Sequence, residues 1–553
     1  MPRSASPSCL VRLGLIVALA LLPGIEGHCA GREDARPVVT SPIELHRLDN
    51  GDGMVRVTLG IPFAPGLLTD PARLRILDEG GNEMAVHVVP TLRWHFRDGS
   101  IRALQVQFLA KVGATVRKLR FEVGTQRETD APGWDYAEGL FDAGHGLRMP
   151  RVLATLDARW MTASLLAGPQ RPVDPADAYD RYVEAQFEWA GALPGTDSTA
   201  WLFDRTSTLF KLYVRSGRIE HLRRAVESYR FYMSHLQRDD RRCPGGWQFD
   251  RARVCDAKYV YIEPIVLALG LSGDDSLHDA SLVEAMVGLW DRGGWSDIGG
   301  AYARIDQNFT ERHAGLGLLA TVSAFELIPD PAYRKRIDDR IGWLLAHQQD
   351  NPDGLGDDGS WRHSWQRHDG EDYSPATDVR GASPWMSENI IDGLWHAWLV
   401  SADPRIPGMI RDFAQYLEKF GWIDPSVFAA AGHSWRDDCS GPEGQIAWYW
   451  SSSQAPLSTL IRMQDAGGEY SDAHTVELGL AVAAARYFEH DAERKRALDR
   501  RLGLIAHSYA TACATNRATA RRFNWNNRGA GVVNWFRANF DKPDPAGIPR
   551  RPR

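Results

Sequence analysis

The sequence predicts an α+β multidomain chain, with an N-terminal small β-barrel or sandwich followed by an (α/α)6 toroid. Three observations predict it. Apolar residues alternate with polar ones in short runs between about Val38 and Val123. From about Ala178 onward they recur at spacings of three and four. Segments of this second kind number about twelve, enough for six antiparallel helical hairpins.

The first 30 residues read as a secretory signal peptide. Arg3 and Arg12 supply positive charge, Leu13 to Leu22 is apolar, and Pro23 and Gly24 break the run. Small residues follow at Gly27, Ala30 and Gly31. The run is too short to anchor the chain across a bilayer. Glu26-Gly27-His28 before Cys29 is not a lipoprotein box. The reading is a secreted or periplasmic product with no stable membrane anchor. Of the six cysteines, Cys243 and Cys255 bracket a short Gly/Trp-rich loop and are the first expected disulfide. Cys439 and Cys513 form the second by elimination, with free buried thiols as the alternative. The spacing does not resemble a zinc site.

The β domain is expected over 38–130. Val55, Val57 and Leu59 alternate with other residues, as do Leu104, Val106 and Phe108. Turn signals such as Asp52-Gly53, Glu79-Gly80-Gly81-Asn82 and Asp98-Gly99-Ser100 end the runs. Residues 131–177 read as a connector and 178–520 as the toroid. Within the toroid, helices are expected near 178–192, 199–215, 218–237, 257–271, 276–290, 310–327, 331–347, 384–401, 406–419, 446–463, 470–488 and 491–512. The alternative arrangement is an open helical array. Long loops at 243–256, 293–309, 351–383 and 421–445 carry Gly, Trp, His and charged residues. The tail at 521–553, rich in Gly, Arg and Pro, shows no readable period.

The formal net charge of −7 gives no global basic field, so nucleic acid is not an expected partner. The 20 tryptophans matter more, because an indole face suits the apolar C–H face of a pyranose. Packing in the core is the competing use of each ring.

Four loop-to-helix junctions interleave aromatic and ionisable residues. The first holds Lys258, Tyr259, Tyr261 and Glu263. The second holds Asn308, Glu311, Arg312 and His313, with Asn308 or Thr310 as the helix cap. A cation in the first helical turn opposes the helix dipole, which points to a partner or an anionic ligand. The third runs through Trp361, His363, Trp365, His368, Asp369, Tyr373, Asp378 and Arg380, then Trp385, Glu388 and Asn389. Here Tyr373 is a proton carrier, and Arg380 a carboxylate clamp with the right fork. His363, His368 and Asp369 as a metal set is the weaker alternative. The fourth holds His433, Trp435, Arg436, Asp437 and Asp438, then Glu443, Trp448, Tyr449 and Trp450. Capped helices with aromatic core stripes are the bland account of all four.

The segments Gly60-Ile61-Pro62-Phe63, Leu74-Arg75-Ile76-Leu77-Asp78, Val89-Pro90-Thr91-Leu92-Arg93-Trp94 and Gly99-Ser100-Ile101-Arg102 resemble the N-terminal RIFT-type barrel of exo-rhamnogalacturonan-lyase-like proteins. The helical part resembles the toroid of polysaccharide lyases as architecture only. The resemblance implies degradation of a polysaccharide by β-elimination, without a cofactor. The C-terminal β-sandwich common in such lyases has no counterpart in the pattern.

Three functions are thus in competition. A uronate-cleaving lyase would use His313, Tyr373, Arg312, Arg380, Tyr259 and Asn308. An inverting hydrolase would use paired carboxylates such as Glu263, Glu311, Asp378 or Glu388, roughly 6.5–9.5 Å apart. A glycan-binding protein would need only the tryptophans. The signal reading is checked by mass spectrometry of the exported product. Its N-terminus should lie just after Gly27 or Ala30, and a product retaining residues 1–26 would refute it.

Overall fold

Val55, Val57, Leu59 and Ile61 turn inward together because strand side chains alternate, and all are buried. They belong to β2 (Gly53–Pro62), which pairs antiparallel with β6 (Ile101–Val112), and β6 pairs in turn with β5 (His87–Arg93). The second sheet has the order β10-β1-β7-β3-β4, with β1 Val39–Arg47, β3 Leu74–Leu77, β4 Glu83–Met84, β7 Arg117–Val123 and β10 Val152–Leu156. A small hairpin joins β8 (Leu140–Asp142) to β9 (Arg148–Pro150). The computed structural model describes residues 38–191, 195, 198–249, 255–292, 310–349, 355–365, 379–424, 426, 447–467, 475, 477–511, 519–543 and 547–551. The expected signal segment, and both Cys439 and Cys513, lie outside them.

The β region extends past its expected end. Strand β10 pairs with β1 from Ile43↔Leu156 to Arg47↔Val152, inside the stretch read as a connector. Its five residues are all buried, so no alternation marks it. A short helix, Ala158–Ala163, follows, capped by Asp157 on the amides of Arg159 and Trp160.

The helical region alternates two kinds of helix. Arg205–Ser216, Glu263–Leu271, Glu311–Leu327, Pro384–Ser401, Leu478–Phe488 and Ala530–Asn539 are buried nearly all round. Between them along the chain come Ala178–Gln186, Ile219–Ser234, Ala280–Asp291, Pro331–Gln349, Arg405–Tyr416 and Ala492–Thr511. The buried helices pack successively on one another, and Ala530–Asn539 returns to Arg205–Ser216. Ala492–Thr511 likewise meets Ala178–Gln186.

Two expectations are corrected. The helix expected at 446–463 begins at Leu457. Ahead of it the backbone is tied down as bridges, Trp422↔Ala447 and Ala382↔Ser451. The tail contains two helices, Ala520–Asn527 and Ala530–Asn539. Its asparagines are core residues with distant partners. Asn524 Nδ2 donates to the carbonyls of Ala200 at 2.7 Å and Leu202 at 2.8 Å, and Asn534 Nδ2 to Asp180 at 2.7 Å. A hydrophobic period cannot register such polar core positions.

The sheets dock on the helices through glycine and through buried polar groups. A Cβ on Gly60 would strike the backbone of Gly270 and Leu271. Gln105 donates to the Gly273 carbonyl at 2.7 Å, and Arg102 pairs with Glu326 at 2.8 Å. Cys243 and Cys255 are disulfide-bonded, with Cα atoms 5.4 Å apart, as the sequence predicts. Among the described residues no helix is long and apolar enough to cross a membrane.

The helices Glu311–Leu327 and Pro384–Ser401 cross at bare backbone. A Cβ on Gly315 would overlap the backbone of Asn389 and Ile390, and one on Gly393 would lie 2.7 Å from the Gly315 carbonyl oxygen. Gly315→Ala is therefore expected to cost about 1–3 kcal/mol through forced separation of the helices. Chemical denaturation measures it, and an unchanged midpoint would show that the helices do not touch there.

Candidate active site

Five of the six buried helices carry a carboxyl at or near the N-terminus, Ala530–Asn539 being the exception. Asp204 caps Arg205–Ser216, accepting from the Ser207 amide. Glu263 and Glu311 open their helices, Glu477 precedes Leu478–Phe488, and Glu388 lies in the second turn of Pro384–Ser401. A helix N-terminus presents unpaired amides and partial positive charge, which favours acidic side chains.

These carboxylates differ in what holds them. Glu311 is committed to structure. His363 Nε2 donates to one of its oxygens at 2.7 Å, and the Ser383 amide to the other at 2.7 Å. Glu263 pairs with Lys211 at 2.7 Å, and His396 Nε2 lies 3.7 Å away. Burial pushes the Glu263 carboxyl up, but the Lys211 and His396 charges outweigh it and the net shift is downward. Asp392 accepts from Arg528 and lies 3.3 Å from His396 Nδ1. A chain of ionisable groups, Lys211–Glu263–His396–Asp392–Arg528, thus runs beneath the helix starts.

Asp204, Glu388 and Glu477 stand outside that neutralised chain. Burial, then the Glu263 charge, raises the Asp204 carboxyl, and its second oxygen is buried without a hydrogen bond. Burial pushes Glu388 up to about 7 against the opposing pull of Arg528 and Lys211. Burial, then the Glu388 charge, raises Glu477 well above the usual carboxylate range, with Arg521 and Arg522 opposing. Among the described residues the Glu388 side chain has no hydrogen-bond partner. The backbone beside Asp204 is strained. Phe203 and Asp204 have φ of 64° and 57°, a left-handed conformation that costs each about 1–2 kcal/mol. Tyr261 Oη holds it by accepting from the Phe203 amide at 2.8 Å.

The remaining expected residues fall into three groups. Tyr259, Lys258 and Arg312 sit near the helix starts. Tyr259 stacks on Trp247 with 5.7 Å between centroids, and its phenol is raised first by burial, with the Arg312 and Arg521 charges opposing. Lys258 pairs with Asp256 at 3.3 Å, and Arg312 lies 6.0 Å over the Phe203 ring. Thr310, of the two expected caps, bonds the His313 amide at 3.2 Å.

The second group is packed rather than presented. Trp361 is fully buried, donates to the Leu344 carbonyl at 3.0 Å and lies against Phe413. Trp365 sits edge-on to Trp450, Trp385 lies between Phe203 and Tyr449, and the Trp448 amide bonds the Gly421 carbonyl. None of these tryptophans offers an open face, which corrects their reading as sugar platforms. Tyr261, His363 and Asn389 are likewise buried in internal hydrogen bonds, Asn389 to the Met386 carbonyl at 3.1 Å. His313 Nε2 donates to the Trp290 carbonyl at 3.2 Å, and burial lowers its ring to about 4. The half-buried ring is thus held by a hydrogen bond on the Trp290 side of the helix start. Arg380 lies in a two-residue ladder, Ser364↔Arg380.

The third group, Asn308, His368, Asp369, Tyr373, Asp378, His433, Trp435, Arg436, Asp437, Asp438 and Glu443, lies outside the described residues. Among the described residues no group of three or more His, Cys, Asp or Glu is arranged to hold a metal.

Sequence reasoning missed Asp204, Glu477 and Arg528. Asp204 carried the one available signal, a capping residue before a helix. Glu477 was concealed inside a helix drawn too long, and Arg528 inside the unread tail.

No family model and no curated protein matches the chain. Among solved structures, the apo β-1,3-1,4-glucanase from Paenibacillus sp. X4 is similar over 66% of this chain and 95% of that chain, at 10% identity and a TM-score of 0.37. A superposition that loose carries no inference about chemistry.

The raised Glu388 carboxyl predicts a pH effect. The folded chain holds that proton more tightly than the unfolded chain does. Stability therefore falls as pH climbs from about 4.5 through about 7, and stays lost above. Glu388→Gln removes the penalty. Its melting temperature should exceed the parent's at about pH 8 and match it at about pH 4; parallel curves across that range would show an ordinary Glu388.

Proposed function

We propose that the chain is an exported glycan-degrading enzyme whose chemistry runs on Glu388 and Glu477 at the entrance of a closed (α/α)6 toroid. The return of Ala530–Asn539 to Arg205–Ser216 supports the closure. Parallel buried helices then bring their N-terminal ends to one opening. The signal-peptide pattern and the Cys243–Cys255 bond support export.

The single observation carrying the chemistry is that two carboxyls are both raised, Glu388 by burial and Glu477 by burial and then by the Glu388 charge. Such a pair keeps one proton between them near neutrality. Glu477 holds it more tightly and is the donor to the leaving oxygen. Glu388, titrating near 7, is the acceptor that activates water. That division of labour is glycoside hydrolysis. Arg528 beside Glu388, and Arg521 and Arg522 beside Glu477, limit how far the two rise.

Arg312 favours a second reading, β-elimination on a uronate. It lies with Arg521 around the Tyr259 phenol, a cation pair for a carboxylate beside a proton carrier.

Incubation with a panel of neutral and uronate polymers separates the two. Hydrolysis releases reducing ends without the ultraviolet absorbance of an unsaturated product, and Glu388→Gln should lower turnover about 10²–10⁴-fold. Undiminished turnover in Glu388→Gln would reject the carboxylate pair. Absorbing products lost in Arg312→Ala would establish elimination instead.

A further inference from the structure

The outward face of β2 and β6 is unusual for a sheet surface. Register places Met54 opposite Lys111, Arg56 opposite Leu109, and Thr58 opposite Gln107. Polar residues are the norm on a wetted face, yet Met54 is 65% exposed and Leu109 54% exposed. This face contributes to a groove of about 870 Å³ that Trp134 and Met84 also line. That volume lies in the range of small-molecule and oligomer sites.

Trp134 is fastened at three points. Its amide donates to Gln107 Oε1 at 3.0 Å, its carbonyl accepts from Gln107 Nε2 at 2.9 Å, and its indole N–H donates to Thr58 Oγ1 at 3.3 Å. A ring held that firmly loses little entropy on binding. Arg56 lies 5.8 Å from the ring centroid.

Each guanidinium in the groove has a carboxylate partner, though two of them share one. Arg56 pairs with Glu138 at 3.0 Å, while Arg47 and Arg151 both pair with Asp49 at 2.6 Å. The guanidiniums therefore offer N–H groups already directed by carboxylates, with a single positive charge left over among the five groups. Hydroxyl-rich, uncharged polymers suit that combination of a fixed aromatic plane, apolar floor and paired donors and acceptors. An anionic polymer would have to compete with carboxylates already in place.

We propose that this groove is a saccharide-binding site for a neutral glycan chain, separate from the carboxylate cluster and independent of whether that cluster is catalytic. It holds the polymer without reacting with it.

Affinity electrophoresis tests this, with hydroxyethyl-cellulose as the neutral probe and polygalacturonate as the anionic one. The full chain should be retarded by the neutral polymer. Trp134→Ala should weaken that binding about tenfold or more. Leu109→Glu, at an exposed position that the fold does not need, should weaken it as well and decides the matter if Trp134→Ala misfolds. No retardation by the neutral polymer, retardation by polygalacturonate alone, or full retardation of Leu109→Glu would overturn the proposal. Glu388→Gln should be retarded like the parent. If Glu388→Gln also keeps full turnover, the carboxylate reading falls and the groove stands.

Discussion

Where Gly315 meets Asn389 and Ile390, two helices touch with no side chain between them. Much of the site depends on that crossing. Arg312 lies one turn before Gly315, and Glu388 is the residue before Asn389. Backbone contact fixes the distance between those turns more rigidly than interleaved side chains would, because packed backbone cannot change rotamer. A second bare contact, Gly60 on Gly270, fixes the sheets to the helix that carries Glu263. The glycines are thus placed at crossings, where absence of a side chain is the functional property.

Rigid spacing allows costly charge to be kept inside. Lys211, Glu263, His396, Asp392 and Arg528 are buried together, and removing water from ions is expensive unless their partners are well placed. Each member of the chain has an oppositely charged or hydrogen-bonding neighbour, so the cost is largely offset. The helix starts add partial positive charge from the same direction. Glu388 and Glu477 lie outside that chain, both raised by burial, with the Glu388 charge adding to the rise of Glu477. The polarity of the interior is therefore arranged as a charge-balanced chain beside two raised carboxyls.

The periodic features were legible in the sequence. Pro384–Ser401 is found at its expected limits, and the Glu311–Leu327 and Pro331–Gln349 helices agree to within two residues at each end. Each has a strong apolar repeat and a clear boundary residue. The Cys243–Cys255 bridge was legible because the loop between them is short. Less legible was anything depending on polar burial. Asn524, Asn527 and Asn534 look like surface residues until their partners are seen. The tryptophans misled in the opposite sense, since abundance beside loops does not distinguish a platform from a packed ring such as Trp361. The carboxyl cluster was half visible: Glu388 was singled out, but Glu477 and Arg528, which interact with it, are far away along the chain.

That distance has a consequence for how the molecule comes into being. Asn524 holds the turn at Ala200–Leu202 from 324 and 322 positions away, and Asn534 reaches Asp180 across 354. These contacts support the strained Phe203–Asp204 corner. Residues 178–216 can gain their helices early, but their corner has no support until residues 520–539 have been synthesised and have come round to meet them. Loop closure over such separations is slow and leaves apolar helix faces unpaired in the interval. The assembly of the site is then the last act of folding rather than the first. A chain interrupted before residue 520 would have its sheets, its disulfide and most of its helices, and an unsupported corner at Phe203–Asp204.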